Sequence, residues 1–303
     1  GAVWPATVIA RAWEERTGGS VDDGMRKERV EDVGLLAWNI WHGGRRDGNS
    51  KGLEATITAI RNSGADIVVM QETYGSGAHI ADGLGYCLYL RSSNLSILSR
   101  FPIRETYDLF QPFNFGGVCL ELSPGQSLRV FSTWLHYLPD YGSLMQTQAA
   151  VTAAALLAAE NETRASEAGQ ILIELAAMLK SSDETPVIVA GDFNSPSHLD
   201  WGQDTAPRHR DLVVEWPTSR MMQEAGFVDV FRRLHPDAAA DPGYTWSPRF
   251  AQSWKDRIDY IYTHGAAQPV ASRVIDQHQP RWPSDHAAVW AALRLPSVVE
   301  EQA

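Results

Sequence analysis

Pro-Val-Ile-Val-Ala-Gly-Asp-Phe-Asn-Ser-Pro-Ser-His occupies positions 186–198. Val187 to Ala190 form an unbroken apolar run, the pattern of a strand buried on both faces. The run stops at Gly191, and Ser195-Pro196 signals a loop. Between them stand Asp192 and Asn194, a carboxylate and an amide two residues apart, delivered to the rim of a sheet where a crevice can form. Asp and Asn also favour turns through their own hydrogen bonds, so this stretch alone leaves a turn and a functional site both open.

Similar buried runs flank it. LLAWNIW (35–41) and DIVVMQE (66–72) read as strands. The helix expected between them, at 52–63, has Leu53, Ile57 and Ile60 on one face and Gly64 as its C-cap signal. Residues 76–83 read as a short helix. YCLYL, LSILS, VCLEL and LRVFSTWLH, within residues 86–136, read as antiparallel strands. Residues 143–180 read as helix with a break at Asn161–Thr163. Thr163 is the expected N-cap of the second piece, and Ala168, Ile171, Leu172, Leu175 and Leu179 form its packing stripe. Asn161-Glu162-Thr163 also matches the short glycosylation sequon. A loop-rich region runs from Ser195 to about Pro248 with a short helix near Ser219–Ala225, and two strands follow, RIDYIYT and AAVWAALRL. Residues 1–32 carry no catalytic signal and read as an N-terminal arm or the remnant of a preceding segment, with 33–303 as one domain.

At 303 residues, with 44% hydrophobic and 21% charged residues, the chain can bury a sizeable core. No apolar run approaches the roughly 20 residues of a membrane span. The N-terminus lacks a basic flank followed by an apolar stretch; because the chain begins with Gly1, removal of a leader stays open, and so do secreted and cytoplasmic locations. A net charge of −11 argues against a global basic footprint for duplex binding and leaves a local basic cleft open. Cys87 and Cys119 lie in strand-like segments and read as buried free thiols, with a single disulfide as the alternative, so the compartment stays open.

Several buried runs end in a polar residue suited to chemistry. LLAW ends at Asn39, DIVVM at Gln71-Glu72, LRVFSTWL at His136, and PVIVAG at Asp192 and Asn194. RID places Asp259 at the start of a strand, and WPSDH places Asp285 and His286 just before the last one. Each has an ordinary structural explanation, such as a buried amide or a salt-bridge partner for Arg257. All of them together at strand ends, in a chain that otherwise keeps its strands apolar, point to a site.

The motifs WN (38–39), QE (71–72), SRFPI (99–103), GDFN (191–194), RIDYI (257–261) and SDH (284–286) resemble, in order and spacing, those of the endonuclease/exonuclease/phosphatase superfamily, over about Gly34–Leu295. The resemblance implies an α/β (α+β) fold, a four-layer α/β/β/α sandwich of two packed mixed β-sheets with the active site at one end. It also implies that 33–303 is a catalytic domain for divalent-metal-dependent hydrolysis of phosphate esters. Such hydrolysis needs a hard cation against the non-bridging oxygens and the leaving group. Mg²⁺, which takes one or two carboxylates and keeps waters, suits this chemistry, with Mn²⁺ or Ca²⁺ as alternatives.

By resemblance, Glu72 is the principal metal ligand, with Asn39 and Asp285 close to the metal or holding its waters. Asp192 orients or deprotonates the attacking water, and Asn194 holds that water or a phosphate oxygen. His286 is the acid/base or phosphate-contacting imidazole, with Asp259 fixing its tautomer, and His136 is the second histidine, which donates to the phosphate. Whether Asp192 or His286 takes the proton is left open. Trp41 stands where many nuclease members carry an acidic residue, which favours one metal over two. His42, Arg45 and Arg46 follow it and offer positive charge to a phosphate.

The superfamily spans nucleases, sphingomyelinases and phosphatases, so the fold does not fix the substrate. Acidic net charge and the loop aromatics, among them Trp201, Trp246 and Trp254, favour a small or medium organic ester, such as one with a sugar or lipid head group. His42, Arg45, Trp201, Trp246 and Trp254 are the expected substrate contacts, and a monomer is expected. A nuclease on single strands or damaged sites would need a basic groove from Arg45, Arg46, Arg208, Arg210 and Lys255. A binding module without activity would have lost a chemical residue, and none is missing.

Overall fold

The computed structural model describes residues 28–296. The expected arm at 1–32 thus lies outside the described residues as far as residue 27. Its end is tied to the domain. Val30 bonds the Gln126 side chain through both its N–H and its C=O, at 2.9 and 2.7 Å, and Glu31 O accepts from Leu295 N at 2.8 Å.

Twelve strands are found among the described residues: β1 (Asp32–Asn39), β2 (Ile67–Gln71), β3 (Cys87–Leu90), β4 (Ser96–Ser99), β5 (Ile103–Tyr107), β6 (Phe115–Ser123), β7 (Gln126–Trp134), β8 (Val187–Asp192), β9 (Val228–Asp229), β10 (Asp259–His264), β11 (Gln268–Ile275) and β12 (Ala288–Arg294). They form two six-stranded sheets, β11-β12-β1-β2-β4-β3 and β5-β6-β7-β8-β10-β9. Both sheets are mixed. β1 is parallel to β2 and antiparallel to β12, while β8 is parallel to β7 and antiparallel to β10.

Alternation along the central strands builds the layers. Leu35 and Ala37 of β1 face Ile188 and Ala190 of β8 in the core between the sheets. Leu36 and Trp38 turn outward onto Ile57 and Ile60 of α1 (Asn49–Ser63) and Ile80 of α2 (Gly77–Leu84). The helical region after β7 is three helices: α3 (Tyr141–Thr147), α4 (Ala153–Glu162) and α5 (Arg164–Leu179). On the far face, Val187 and Val189 pack on Ile171 and Leu175 of α5. The result is the expected α/β/β/α sandwich, with each fully buried aliphatic side chain contributing about 1.5–3 kcal/mol. α6 (Pro217–Glu224) and α7 (Val230–Leu234) lie in the long loop region.

Departures from the sequence reading have local causes. Asp140 caps α3 through Ser143 N at 2.9 Å, and Thr152 caps α4 through Ala155 N at 3.2 Å. Thr163 does not cap α5; its hydroxyl donates back to Ala159 O at 2.8 Å. Cys87 is a free but exposed thiol, because β3 is an edge strand, and Cys119 is half-buried. β5 and β11 escape a search for apolar runs because both are largely exposed strands at a sheet edge.

Trp201 and Trp216, fully buried beside Tyr141 and Met145, anchor the long loop as a separate aromatic core. The same loop is pinned by buried charge. Asp200 accepts from Nε of both Arg232 and Arg257 at 2.9 Å, and Arg257 pairs with Asp229 at 2.8 Å.

Candidate active site

Parallel pairing within each sheet brings strand ends together. Asn39 pairs with Gln71 at the ends of β1 and β2, and Trp134 with Asp192 at the ends of β7 and β8. β10 starts beside them, with Asp259 opposite Asp192. Gly191 makes the approach of the two sheets possible here. It has φ +140°, and a Cβ on it would lie 2.2 Å from Thr133 O and 2.6 Å from Nε2 of Gln71, a residue of the other sheet.

Asp192 is buried, with Oδ2 accepting from Asn39 Nδ2 at 3.0 Å and Oδ1 from Asn194 N at 2.9 Å. Asn39 Nδ2 also reaches Glu72 Oε1 at 3.2 Å, and its own oxygen accepts from Trp41 N at 3.0 Å. Asn39 therefore links two carboxylates by donation. Asn194, in a left-handed backbone conformation, spends Nδ2 on Leu135 O at 2.9 Å, so Oδ1 is what it can offer the cavity. Glu72 also adopts positive φ, and its Oε2 accepts from His42 N at 2.9 Å.

The Ser284–His286 turn is fastened to β1. Ser284 Oγ donates to Asn39 O at 2.6 Å, and the indole N–H groups of Trp38 and Trp282 donate to His286 O at 3.1 and 2.7 Å. His286 is buried with Nδ1 2.9 Å from Asp259 Oδ2 and Nε2 3.8 Å from Asp192 Oδ2. Burial opposes its charged form, but Asp259 and Asp192 outweigh burial and hold the imidazole well above its ordinary range. Burial pushes Asp192 up to about 7, against the pull of His286 and the bonds from Asn39 and Asn194. It also pushes Asp285 up to about 6, with His286 opposing and Glu72 adding to the rise.

These residues open onto a cavity of about 560 Å³. Glu72, Asp192, Asn194, Asp285 and His286 line it, and so do the expected contacts His42, Trp246 and Trp254. Asn39 and Asp259 stand just behind, bonded to the lining carboxylates and to His286. Three expected contacts do not line the cavity. His136 is exposed, held through its backbone N–H by Glu167 Oε2 at 2.8 Å. Trp201 is fully buried, stacked 4.1 Å from His209 with its indole N–H on Asp256. Arg45 donates to Tyr74 O.

Trp134 takes the place at the end of β7 that the sequence reading gave to His136. Residues paired in register share a face, so Trp134 follows Val130 and Ser132 inward beside Asp192, and the strand ends before residue 136 is reached. Tyr74, Phe113, Tyr137, Tyr141, Arg164 and Asp256 also line the cavity, and the sequence gives no site expectation for them. Asp256 directly precedes the RIDYI motif, and that adjacency was its signal. Arg164 begins a helix read as packing alone, and the aromatics sit in loops without a motif.

Donor chemistry fits a hard cation at Glu72 and Asp285: two carboxylates whose like charge already raises the proton affinity of one of them. A second grouping, Asp192, Asp259 and His286, has ligand atoms within 4.8 Å of one another. It spends His286 Nδ1 on Asp259, which leaves an imidazole held between two carboxylates.

Residues 36–286 match the Endonuclease/Exonuclease/phosphatase family. The chain belongs to this family. It is a metal-dependent phosphoester hydrolase, as members of the family are. An uncharacterized Caenorhabditis elegans protein, F14F9.5, is 30% identical over 288 residues, covering 86% of this chain and 90% of its own. The fold is similar to that of truncated C. elegans TDP2 (TM-score 0.59, 16% identity, 87% of this chain and 97% of that one). It is likewise similar to Danio rerio TDP2 complexed with a single-strand DNA product (TM-score 0.56, 15% identity, 88% and 100%).

Proposed function

We propose that this phosphoesterase cleaves a small or medium organic phosphate ester by attack of water. The observation that carries this reading is the charge of the cavity: Glu72, Asp140, Asp192, Asp256 and Asp285 line it, and Arg164 is the one Arg or Lys among the lining residues. A channel for a polynucleotide backbone needs many phosphate-neutralising cations, whereas a compact, aromatic-walled cavity of about 560 Å³ suits a small ligand.

In this reading Glu72 and Asp285 hold one Mg²⁺ or Mn²⁺, and Asn39 fixes the Glu72 and Asp192 carboxylates relative to each other. The cation supplies charge neutralisation at the phosphate oxygens. Asp192, held at both oxygens, orients and deprotonates the attacking water. His286, aligned through Nδ1 by Asp259, turns Nε2 toward the phosphate. Asn194 contributes Oδ1 to the water. A panel of phosphodiesters and monoesters with Mg²⁺ or Mn²⁺, run on wild type, Glu72→Ala and His286→Ala, tests this. Hydrolysis of at least one small ester, lost in both variants, is expected; undiminished turnover in the variants would refute the site.

A nucleic-acid substrate is the second reading. The exposed Arg46 lies 4.9 Å from the ring of Trp41, which lines the cavity, an arrangement that can hold a base beside phosphate-binding charge. The DNA product bound by the D. rerio TDP2 structure points the same way. Cleavage of oligonucleotides with no turnover of any small ester would establish it.

A further inference from the structure

Backbone strain in this chain collects around Glu72. Among the described residues eight non-glycine residues have positive φ, and four of them meet here: Trp41 (+54°), His42 (+50°), Glu72 (+55°) and Tyr74 (+37°). Gly43 and Gly44 follow at +73° and +68°, so residues 41–44 form one left-handed turn, closed by Gly44 N donating to Ile40 O at 3.0 Å. L-residues avoid this region because Cβ crowds the following carbonyl. Strain gathered at one place points to a geometry held for function.

The first N–H groups of a helical turn have no partner inside it, and this turn spends them on the site. Trp41 N donates to Asn39 Oδ1 at 3.0 Å, His42 N to Glu72 Oε2 at 2.9 Å and Gly43 N to Glu72 O at 2.7 Å. With Asn39 Nδ2 on Oε1 and the Glu72 N–H on Asn94 Oδ1 at 2.8 Å, every polar atom of Glu72 is held. The loop after Glu72 fastens the turn in return. Ser76 Oγ, fully buried, donates to Gly43 O at 2.7 Å, and the Arg45 guanidinium donates to Tyr74 O. Neither Ser76 nor Arg45 lines the cavity.

We propose that the left-handed turn is a brace that presets the Glu72 carboxylate before any cation arrives, with Ser76 and Arg45 as the positioning residues that hold the turn against the Glu72 loop. A carboxylate already ordered loses little rotamer freedom when it takes a metal, so the strain of the turn is repaid as affinity. Arg45 then serves the cation through Glu72 and does not reach the substrate phosphate. This inference rests on Glu72 being the metal ligand, as the proposed function has it, and concerns what orients that ligand.

Titration of the full chain with Mn²⁺ and no ester, read from the paramagnetic resonance of the free ion, tests it without turnover. Ser76→Ala and Arg45→Met are each expected to raise the Kd for Mn²⁺ about 3–10-fold, less than the roughly 10–100-fold that follows loss of a bond made directly to a metal ligand. For Arg45→Met the sign is informative, since removing a cation would by charge alone strengthen Mn²⁺ binding. Arg45 is half-buried, and its variant decides the matter if Ser76→Ala does not fold. Ser63→Ala is the control: that hydroxyl is also buried but donates to Ile60 O at 2.6 Å at the other end of α1, so its loss should leave Kd at the wild-type value. Wild-type affinity in the folded variants, or an equal loss in Ser63→Ala, overturns the brace. Failure of the metal assignment shows separately, as undiminished Mn²⁺ binding by Glu72→Ala.

Discussion

Asp259 is fully buried, and its Oδ2 lies 2.9 Å from His286 Nδ1. Asp259→Asn keeps the shape and loses control of the tautomer, so kcat is expected to fall about 10²–10⁴-fold while KM stays within a few-fold. Steady-state kinetics on a small ester decides it, and an unchanged kcat would remove Asp259 from the site. His209 offers a test of stability. Burial first, and Arg208 second, push its imidazole down to about 4. The unfolded chain takes this proton near 6.5, so between about 6.5 and 4 the unfolded state binds more protons and stability falls as pH drops. His209→Phe preserves a ring against Trp201 and should lose less melting temperature between pH 7 and pH 5 than wild type. Equal losses in thermal scans would contradict the assignment. Sequence motifs located Asp192, Glu72, Asp285 and His286 at the cavity because each motif is anchored to a strand end. His136 misled because a motif position does not reveal where a strand stops, and here β7 ends two residues earlier, at Trp134.

The two sheets meet at the site through β8. Ser132 of β7 accepts from Gln71 Nε2 at 3.2 Å, and that same nitrogen occupies the space a side chain on Gly191 would need. Gly191→Ala combines a strained φ with a clash against backbone and is expected to destabilise the fold by about 3 kcal/mol or more. Denaturant titration measures this, and a loss under about 1 kcal/mol would show that the sheets can part without cost. The surviving folded fraction should also lose activity, since Asp192 follows directly. At this scale the central strands were legible, because burial on both faces imposes continuous apolar runs on them. β11 and β5 were not, since exposed edge strands place no such demand on sequence. The helical region was read as two pieces where there are three, because the break after Thr147 carries no Gly or Pro.

Across the molecule, net charge and cavity charge act in the same direction. The chain carries −11 overall, and the cavity concentrates five carboxylates around one arginine. At the proposed site a divalent cation would relieve the repulsion between Glu72 and Asp285. Saturating Mg²⁺ should therefore raise stability by about 2–3 kcal/mol at a hundredfold excess over its Kd, and chelation should abolish turnover reversibly. The same charge distribution predicts how substrate binding responds to salt. A small ester held by a metal, a few donors and aromatic walls releases few counterions, whereas a protein neutralising six or more phosphates loses about 10³-fold in affinity between 50 and 200 mM salt. KM for a small phosphate ester is thus expected to change by less than about 3-fold over that range. A steep, nuclease-like slope would show that substrate binding extends beyond the cavity to exposed cations such as Arg46 and Arg281, and would turn the substrate assignment toward nucleic acid.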